Sequence, residues 1–388
     1  MLRHLGLVVL LLVATGLNAF AATITLVING KSVSVPVIES NGKAYIDAAA
    51  LAQYLGWKAS YEAANRKLYV NTAPGGGGTT TAAADTGIPQ MPGDDGRLGQ
   101  VYKMGKETPL YFRLVSAEFT TQQVAIGGTL HWPTAKEKLL LLKFTVQNAQ
   151  KQEAFMRGDS LKLTVVDAKN VNHEATGEWG DPGNKSSVAR SLKPAQTVEL
   201  YTVIVVPAAG RVPKLIVQAP EDNTPVLRYD LRDKVTGLQP PVADPQDDSG
   251  ATALEEVPAQ IGTAYPCENF GVTVEQVAYS TAAFEDQAPG EGERFLVATL
   301  LMKNDSPAEV FVRWDLLAPV LTSTDGNELA YKGMLAAGGT QSFAQAVKGG
   351  AEARVRLFFV VPKDATPKTL AIKEGDSRAY VYEVKVDE

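Results

Sequence analysis

LYTVIVVP at residues 200–207 and VRLFFVVP at residues 355–362 are two copies of one pattern, an apolar run rich in valine and closed by proline. Val, Ile, Tyr and Phe favour the extended backbone, and proline brings no amide to a ladder. Each run therefore reads as a strand with a hard end. The likeness extends outward from there. LLLKFTVQN (140–148) answers FLVATLLMKN (295–304), both closing on Asn, and LKLTVVD (161–167) answers LAPVLTSTD (317–325), both entering a polar turn. Asn148 recurs as Asn304, 156 positions on; Asp167 recurs as Asp325, 158 on; Pro207 recurs as Pro362, 155 on. A shared order with so little drift points to duplication.

Long alternating runs separated by turn residues, with scarcely any helical periodicity, predict antiparallel sandwiches. The expected fold is mainly β: a small α+β domain at 23–71, then two tandem antiparallel immunoglobulin-like β-sandwiches at 98–236 and 257–388. Their first strands are expected at 111–119 and 271–279, and their last at 225–231 and 379–386. This strand order and its landmarks resemble the telokin-like, immunoglobulin-like modules of secreted bacterial proteins. The resemblance implies a fold and no catalytic residue. Two stretches look like flexible linkers. Residues 72–97 (TAPGGGGTTTAAADTGIPQMPGDDGR) and 237–256 have few large apolar side chains to offset the entropy of ordering. The acids Asp244, Asp247 and Asp248 in the second lack the spacing, glycine and terminal Glu of a calcium loop.

The chain has 388 residues, enough for several cores, and 45% of them are hydrophobic. With 37 Lys and Arg against 43 Asp and Glu, its formal charge is −6. No run of basic residues appears, so a nucleic-acid partner is not expected. At the N-terminus Arg3 and His4 precede an apolar core at 5–13, a polar break and Ala19-Phe20-Ala21. That order is a signal peptide over residues 1–21, cleaved after Ala21 or Ala22. The alternative is a retained anchor, for which the apolar core is short against the roughly 20 residues of a span. The expected location is secreted, or in the cell envelope or periplasm, with no membrane span after cleavage.

Strand-like runs at 23–28 and 31–37 flank Asn29-Gly30, a hairpin turn, and 43–46 follows Asn41-Gly42. Asp47 then caps an expected helix at 48–55, which Gly56 ends. A last hairpin is expected at 57–61 and 67–70. With INGK at 28–31, NGKAYID at 41–47, LAQYLGWKASYE at 51–62 and KLYV at 67–70, residues 23–70 resemble the N-terminal stalk domain named after copper amine oxidases. Members commonly carry Val-Pro-x-Arg where this chain has Ile46-Asp47-Ala48-Ala49. The resemblance implies an extracellular stalk or adaptor. It does not imply the oxidase reaction, whose site needs three His ligands, because the mature chain has only His131 and His173.

Catalytic motifs are missing from the sequence: no Gly-x-Ser-x-Gly, phosphate loop, dinucleotide fingerprint or His-Glu-x-x-His occurs. Cys267 is the only cysteine, so no internal disulfide forms, and it reads as an inert, partly buried thiol. The most polar loop, NHEATGEWGD at 172–181, carries His173, Glu174, Glu178 and Asp181, a donor set with only one imidazole and no established metal spacing. Trp132, Trp179 and His173 are the candidate ligand contacts, since loop aromatics can stack on sugar rings. Core packing is the competing reading for Trp132, and more so for Trp314. The expected function is a non-enzymatic binding or scaffolding protein of the cell envelope, acting through sandwich loops or edges on a protein or an envelope polysaccharide, with no cofactor or metal. The alternatives are a carbohydrate- or cell-wall-binding module that assists a separate enzyme, and a cryptic hydrolase.

Overall fold

The computed structural model describes residues 93–221, 225–284 and 287–386, and before them the backbone of five strands. These are β1 (Ala21–Ile28), β2 (Lys31–Ser40), β3 (Lys43–Ile46), β4 (Lys58–Glu62) and β5 (Lys67–Asn71). β1, β2 and β3 pair antiparallel in that order, with Ile28 opposite Lys31, and β4 pairs with β5. The strands fall where alternation places them. Residues 1–20, the expected helix at 48–55 and the linker at 72–92 lie outside the described residues, and with the helix goes the α+β character expected of 23–71. Residues 1–88 and 89–388 are separate compact units.

The second unit holds four five-stranded sheets. Its first half contains β6 (Gly93–Gly96), β7 (Tyr102–Met104), β8 (Leu110–Thr120), β9 (Val124–Ile126), β10 (Thr129–His131), β11 (Glu137–Asn148), β12 (Ala154–Met156), β13 (Lys162–Val166), β14 (Asn172–Glu174), β15 (Arg190–Leu192), β16 (Thr197–Pro207), β17 (Lys214–Gln218), β18 (Val226–Asp230) and β19 (Val235–Thr236). One sheet runs β16-β11-β8-β19 with β7 also on β8; the other runs β14-β13-β17-β18-β6. Between them sit Phe112, Leu114, Leu142, Phe144, Leu163, Val165, Ile204 and Val217, the inward members of alternating strands.

The second half contains β20 (Glu256–Ala259), β21 (Ala264–Pro266), β22 (Phe270–Ser280), β23 (Glu293–Asn304), β24 (Val310–Val312), β25 (Val320–Ser323), β26 (Glu328–Leu329), β27 (Tyr331–Ala336), β28 (Gln345–Val347), β29 (Glu352–Pro362), β30 (Pro367–Ile372) and β31 (Ala379–Glu383). Its sheets run β21-β22-β23-β29-β27 and β20-β31-β30-β25-β26 around a core of Val272, Val274, Leu300, Val355, Leu357, Leu370, Tyr380 and Tyr382. The expectation of purely antiparallel pairing is corrected at the edges. β6 joins β18, β20 joins β31 and β19 joins β8 in parallel.

Matching hydrogen bonds recur in both halves. The Asn148 side chain donates to the Gln152 and Leu192 carbonyls (both 2.8 Å) and accepts from the Gln150 amide. Asn304 donates to Ala308 and Val347 (2.9 and 2.8 Å) and accepts from Ser306. Each Asn thus staples a small two-stranded ribbon, β12–β15 or β24–β28, to the end of a long strand. The Tyr102 and Tyr265 hydroxyls accept the amides of Arg97 and Gln260, and the Gly99 and Gly262 amides donate to Leu114 and Val274. The turn equivalence needs a two-residue correction. Asp167 is bonded to Val171 and Asn170 as Ser323 is to Asn327 and Gly326, so its counterpart is Ser323, not Asp325.

The last residues of the first expected linker and the whole of the second are corrected as well. Residues 93–96 are β6, a sheet member paired with Val226 to Tyr229. Residues 237–256 are a packed connector, with Leu238, Ala251 and Ala253 buried and β20 beginning at its end. Composition misleads here because the connector's turns close locally: the Asp244 carboxylate accepts the Gln246 amide, and Asp247 accepts the Ser249 amide and hydroxyl. Arg378, 2% exposed, then ties connector and halves together, donating to the Leu254, Thr134 and Glu137 carbonyls.

Removing the Asn304 side chain strands the buried Val347 carbonyl and Ser306 amide, each worth about 1–3 kcal/mol when left unpaired, while the exposed Ala308 carbonyl can turn to water. Asn304→Ala is expected to destabilise the protein by about 2–4 kcal/mol, read as a lowered urea midpoint with an unchanged slope.

Candidate functional site

The donor set at 172–181 does not converge. His173 Nε2 lies 3.1 Å from the Asp167 carboxylate, Glu174 pairs with Lys162, Glu178 with His131 and Asp181 with Arg190. Each acid is engaged by a different partner. Among the described residues, no three His, Cys, Asp or Glu side chains gather as a metal site requires. Burial alone lifts the Asp167 carboxyl, but the Val171 and Lys169 amides and His173 outweigh it and hold it below its usual range.

The tryptophan expectations are partly reversed. Trp179 is fully buried, its ring edge-on to Phe144 at 5.3 Å, so it presents no stacking face and is withdrawn as a ligand contact. Its polar neighbours in sequence concealed this. Gly180 is bridged to Tyr201, so the segment pairs alongside β16 and the neighbouring indole joins the core. A Cβ at Gly180 would fall 2.3 Å from the Tyr201 ring, so only glycine passes there. Trp132 is half-buried. Trp314, expected in a core, is 60% exposed beside Phe311 at 57%. The Phe155 of the matching ribbon is likewise exposed.

Cys267 is buried, and burial, with the nearby Glu374 charge adding to it, pushes its thiol up to about 12. Glu374 is itself raised by burial and accepts from the Asn269 amide and side chain at 3.0 and 2.8 Å. Both groups are sealed at the seam between the halves, where the Gln123 side chain donates to the Cys267 carbonyl. Iodoacetamide at pH 8 is expected to leave Cys267 unlabelled in the folded protein and to label it in urea, read by mass spectrometry.

The site that the sequence left unannounced is a groove at one end of the second half. It has a volume of about 660 Å³ and is lined by Gln276, Val277, Tyr279, Arg294, Lys363 and Lys385 among others, with no acidic side chain in its wall among the described residues. The Arg294 guanidinium lies over the Tyr279 ring at 3.5 Å, and its Nε is buried without a hydrogen-bond partner. Stacking of this kind fixes the planar fork while leaving its edge free for a carboxylate or phosphate. Lys385 also reaches Glu383 at 3.2 Å, in a pair so exposed that it holds the lysine only weakly. The arrangement can bind an anion.

The register makes Lys138 and Phe119 the counterparts of Arg294 and Tyr279. Lys138 faces Val206 as Arg294 faces Val361, and Phe119 faces Leu140 as Tyr279 faces Leu296. Lys138 also sits over its aromatic ring, at 4.5 Å. There the likeness stops. Lys138 is fully buried, its ammonium donating to the carbonyls of Pro207, Ala208, Gly210 and the connector's Ala251. The space left beside it is about 20 Å³. Alternating signs hid this pair, since a single Lys or Arg at the head of a strand looks like an ordinary exposed charge.

Burial lowers the Lys138 amine to about 8, against an ordinary 10.5. Between those values the unfolded chain carries the extra proton, so stability rises with pH across that window. Relative to Lys138→Met, the wild type is expected to gain about 2 kcal/mol between pH 8 and pH 10 in urea unfolding. An unchanged difference would contradict the buried ammonium.

A family model described as a domain of unknown function, DUF4352, matches residues 259–380. Similar solved structures include an uncharacterized β-sandwich protein from Clostridium difficile 630, with 13% identity over 37% of this chain and 97% of that one (TM-score 0.30). MPT63, a secreted protein from Mycobacterium tuberculosis, has 13% identity over 36% and 97% (TM-score 0.27). A conserved hypothetical protein from Bacillus anthracis has 16% identity over 31% and 92% (TM-score 0.24). The comparison with curated proteins gave no match.

Proposed function

We propose that this chain is an exported, non-enzymatic binding or scaffolding protein of the cell envelope, built from two tandem immunoglobulin-like modules and capturing an anionic ligand in the Tyr279–Arg294 groove. The observation that carries the reading is three cations around an open cavity whose wall, among the described residues, has no acid. A cavity of that volume is within the range of ligand sites, and a guanidinium with a buried, unpartnered Nε lacks the acceptor that such groups ordinarily have. The repeated Asn staples and tyrosine contacts support the duplication. Export rests on the leader at residues 1–21.

Fluorescent poly-L-glutamate is the probe for this reading. Binding is expected to weaken steeply with salt and to fall at least tenfold in the Arg294→Glu, Lys363→Glu double variant. Equal affinity in that variant would overturn the groove as the site.

A second reading, carbohydrate binding, is favoured by the exposed Trp314 and Phe311. It requires pull-down on insoluble peptidoglycan or polysaccharide that is lost in Trp314→Ala and kept in the Arg294 variant.

A further inference from the structure

In the first half, the surface equivalent to the groove is already occupied, and by a strand. β19 lies parallel to β8, with Val235 beside Ala117 and Thr236 beside Glu118. The chain then returns as the connector and places the Ala251 carbonyl on the Lys138 ammonium. The covered pair is closed from solvent, Phe119 at 7% exposure and Lys138 at 0%.

In the second half no described strand covers the same edge beyond β21. Ala117 and Leu142 correspond in register to Val277 and Ala298, and Glu118 and Leu141 to Ala278 and Val297. β21 covers β22 only from Gly271 to Thr273. Among the described residues, no strand pairs with Val277 and Ala278 on that side, and both line the groove. Tyr279 and Arg294, the counterparts of the covered pair, are only half-buried.

We infer that the groove receives an extended acidic peptide from a partner protein, which adds to β22 in parallel beside Val277 and Ala278 and sets an oxygen acceptor on Arg294. This rests on the groove reading above and names its ligand. The geometry comes from the occupied copy, where one segment supplies both a parallel strand and the oxygen that meets the cation. Strand addition supplies affinity through main-chain hydrogen bonds, and the side-chain pocket supplies selectivity. The charge comes from the groove wall, whose Arg294, Lys363 and Lys385 favour an acidic strand. The connector itself fits that description: residues 234–253 (KVTGLQPPVADPQDDSGATA) carry one Lys and three Asp.

That sequence supplies the probe, a synthetic peptide of residues 234–253 titrated into the full chain. The tethered connector keeps its own site, because its effective concentration there is on the order of millimolar. Saturating peptide is expected to slow amide exchange at Val277 and Ala278 at least tenfold, and Arg294→Ala and Lys385→Glu are each expected to weaken binding, the first at least tenfold. Both side chains are solvent-accessible, and unchanged melting of the variants checks their fold. If poly-L-glutamate and the peptide both bind through Arg294 but exchange at Val277 and Ala278 is unchanged, the groove is an anion site, no strand is added, and this inference is overturned. If neither ligand binds, the groove reading falls with it.

Discussion

The second unit depends on the burial of two cations that, among the described residues, have no carboxylate within salt-bridge distance. Lys138 and Arg378 are each closed off from water and each satisfied by backbone carbonyls. A desolvated charge is tolerated only when its donors are met, so whatever supplies those oxygens is held in place. For Lys138 the oxygens come from the end of β16 and from the connector; for Arg378 they come from the connector and the segment leading into β11. A stretch with the composition of a loose tether is thereby pinned at Ala251 and Leu254, near its C-terminal end. The two halves share a seam, not a swinging joint.

The same constraint explains why the two halves differ at their most similar place. Each has a cation at the second position of its longest inner strand, resting on an aromatic ring near the end of the neighbouring strand. Where the connector covers that pair, the cation is a structural pin. Where nothing among the described residues covers it, the cation is left half-buried with an orphaned Nε. A guanidinium suits the open copy because it keeps its charge and its fork in water, while a compact ammonium suits a cage of carbonyls. The two halves thus hold one closed and one open version of a similar arrangement.

Much of the architecture was legible in the chain. The proline-stopped strands, the Asn that closes each central strand and the near-constant spacing between copies all reflect local rules of alternation and turn chemistry. The N-terminal strands fell where Asn-Gly turns and alternation placed them. Errors arose where the partner of a residue lies far away in sequence. Trp179 reads as a loop residue beside Glu178 and Asp181, yet the bridge from Gly180 to Tyr201 turns it inward. Trp314 follows an apolar triplet and reads as core, yet it projects into solvent. Asp167 and Asp325 match as letters, while the hydrogen bonds match Asp167 with Ser323.

By itself the sequence determined the period of the strands, the recurrence of the proline-stopped pattern and the absence of any recognisable catalytic motif, because each is written in neighbouring residues. Tertiary structure alone decided that residues 237–256 are packed, that His173 is engaged by Asp167, and that Arg294 stands open where Lys138 is sealed. The reason is separation. The contact between Lys138 and Ala251 spans 113 positions, and no local pattern records which cation will meet a carbonyl that far along the chain.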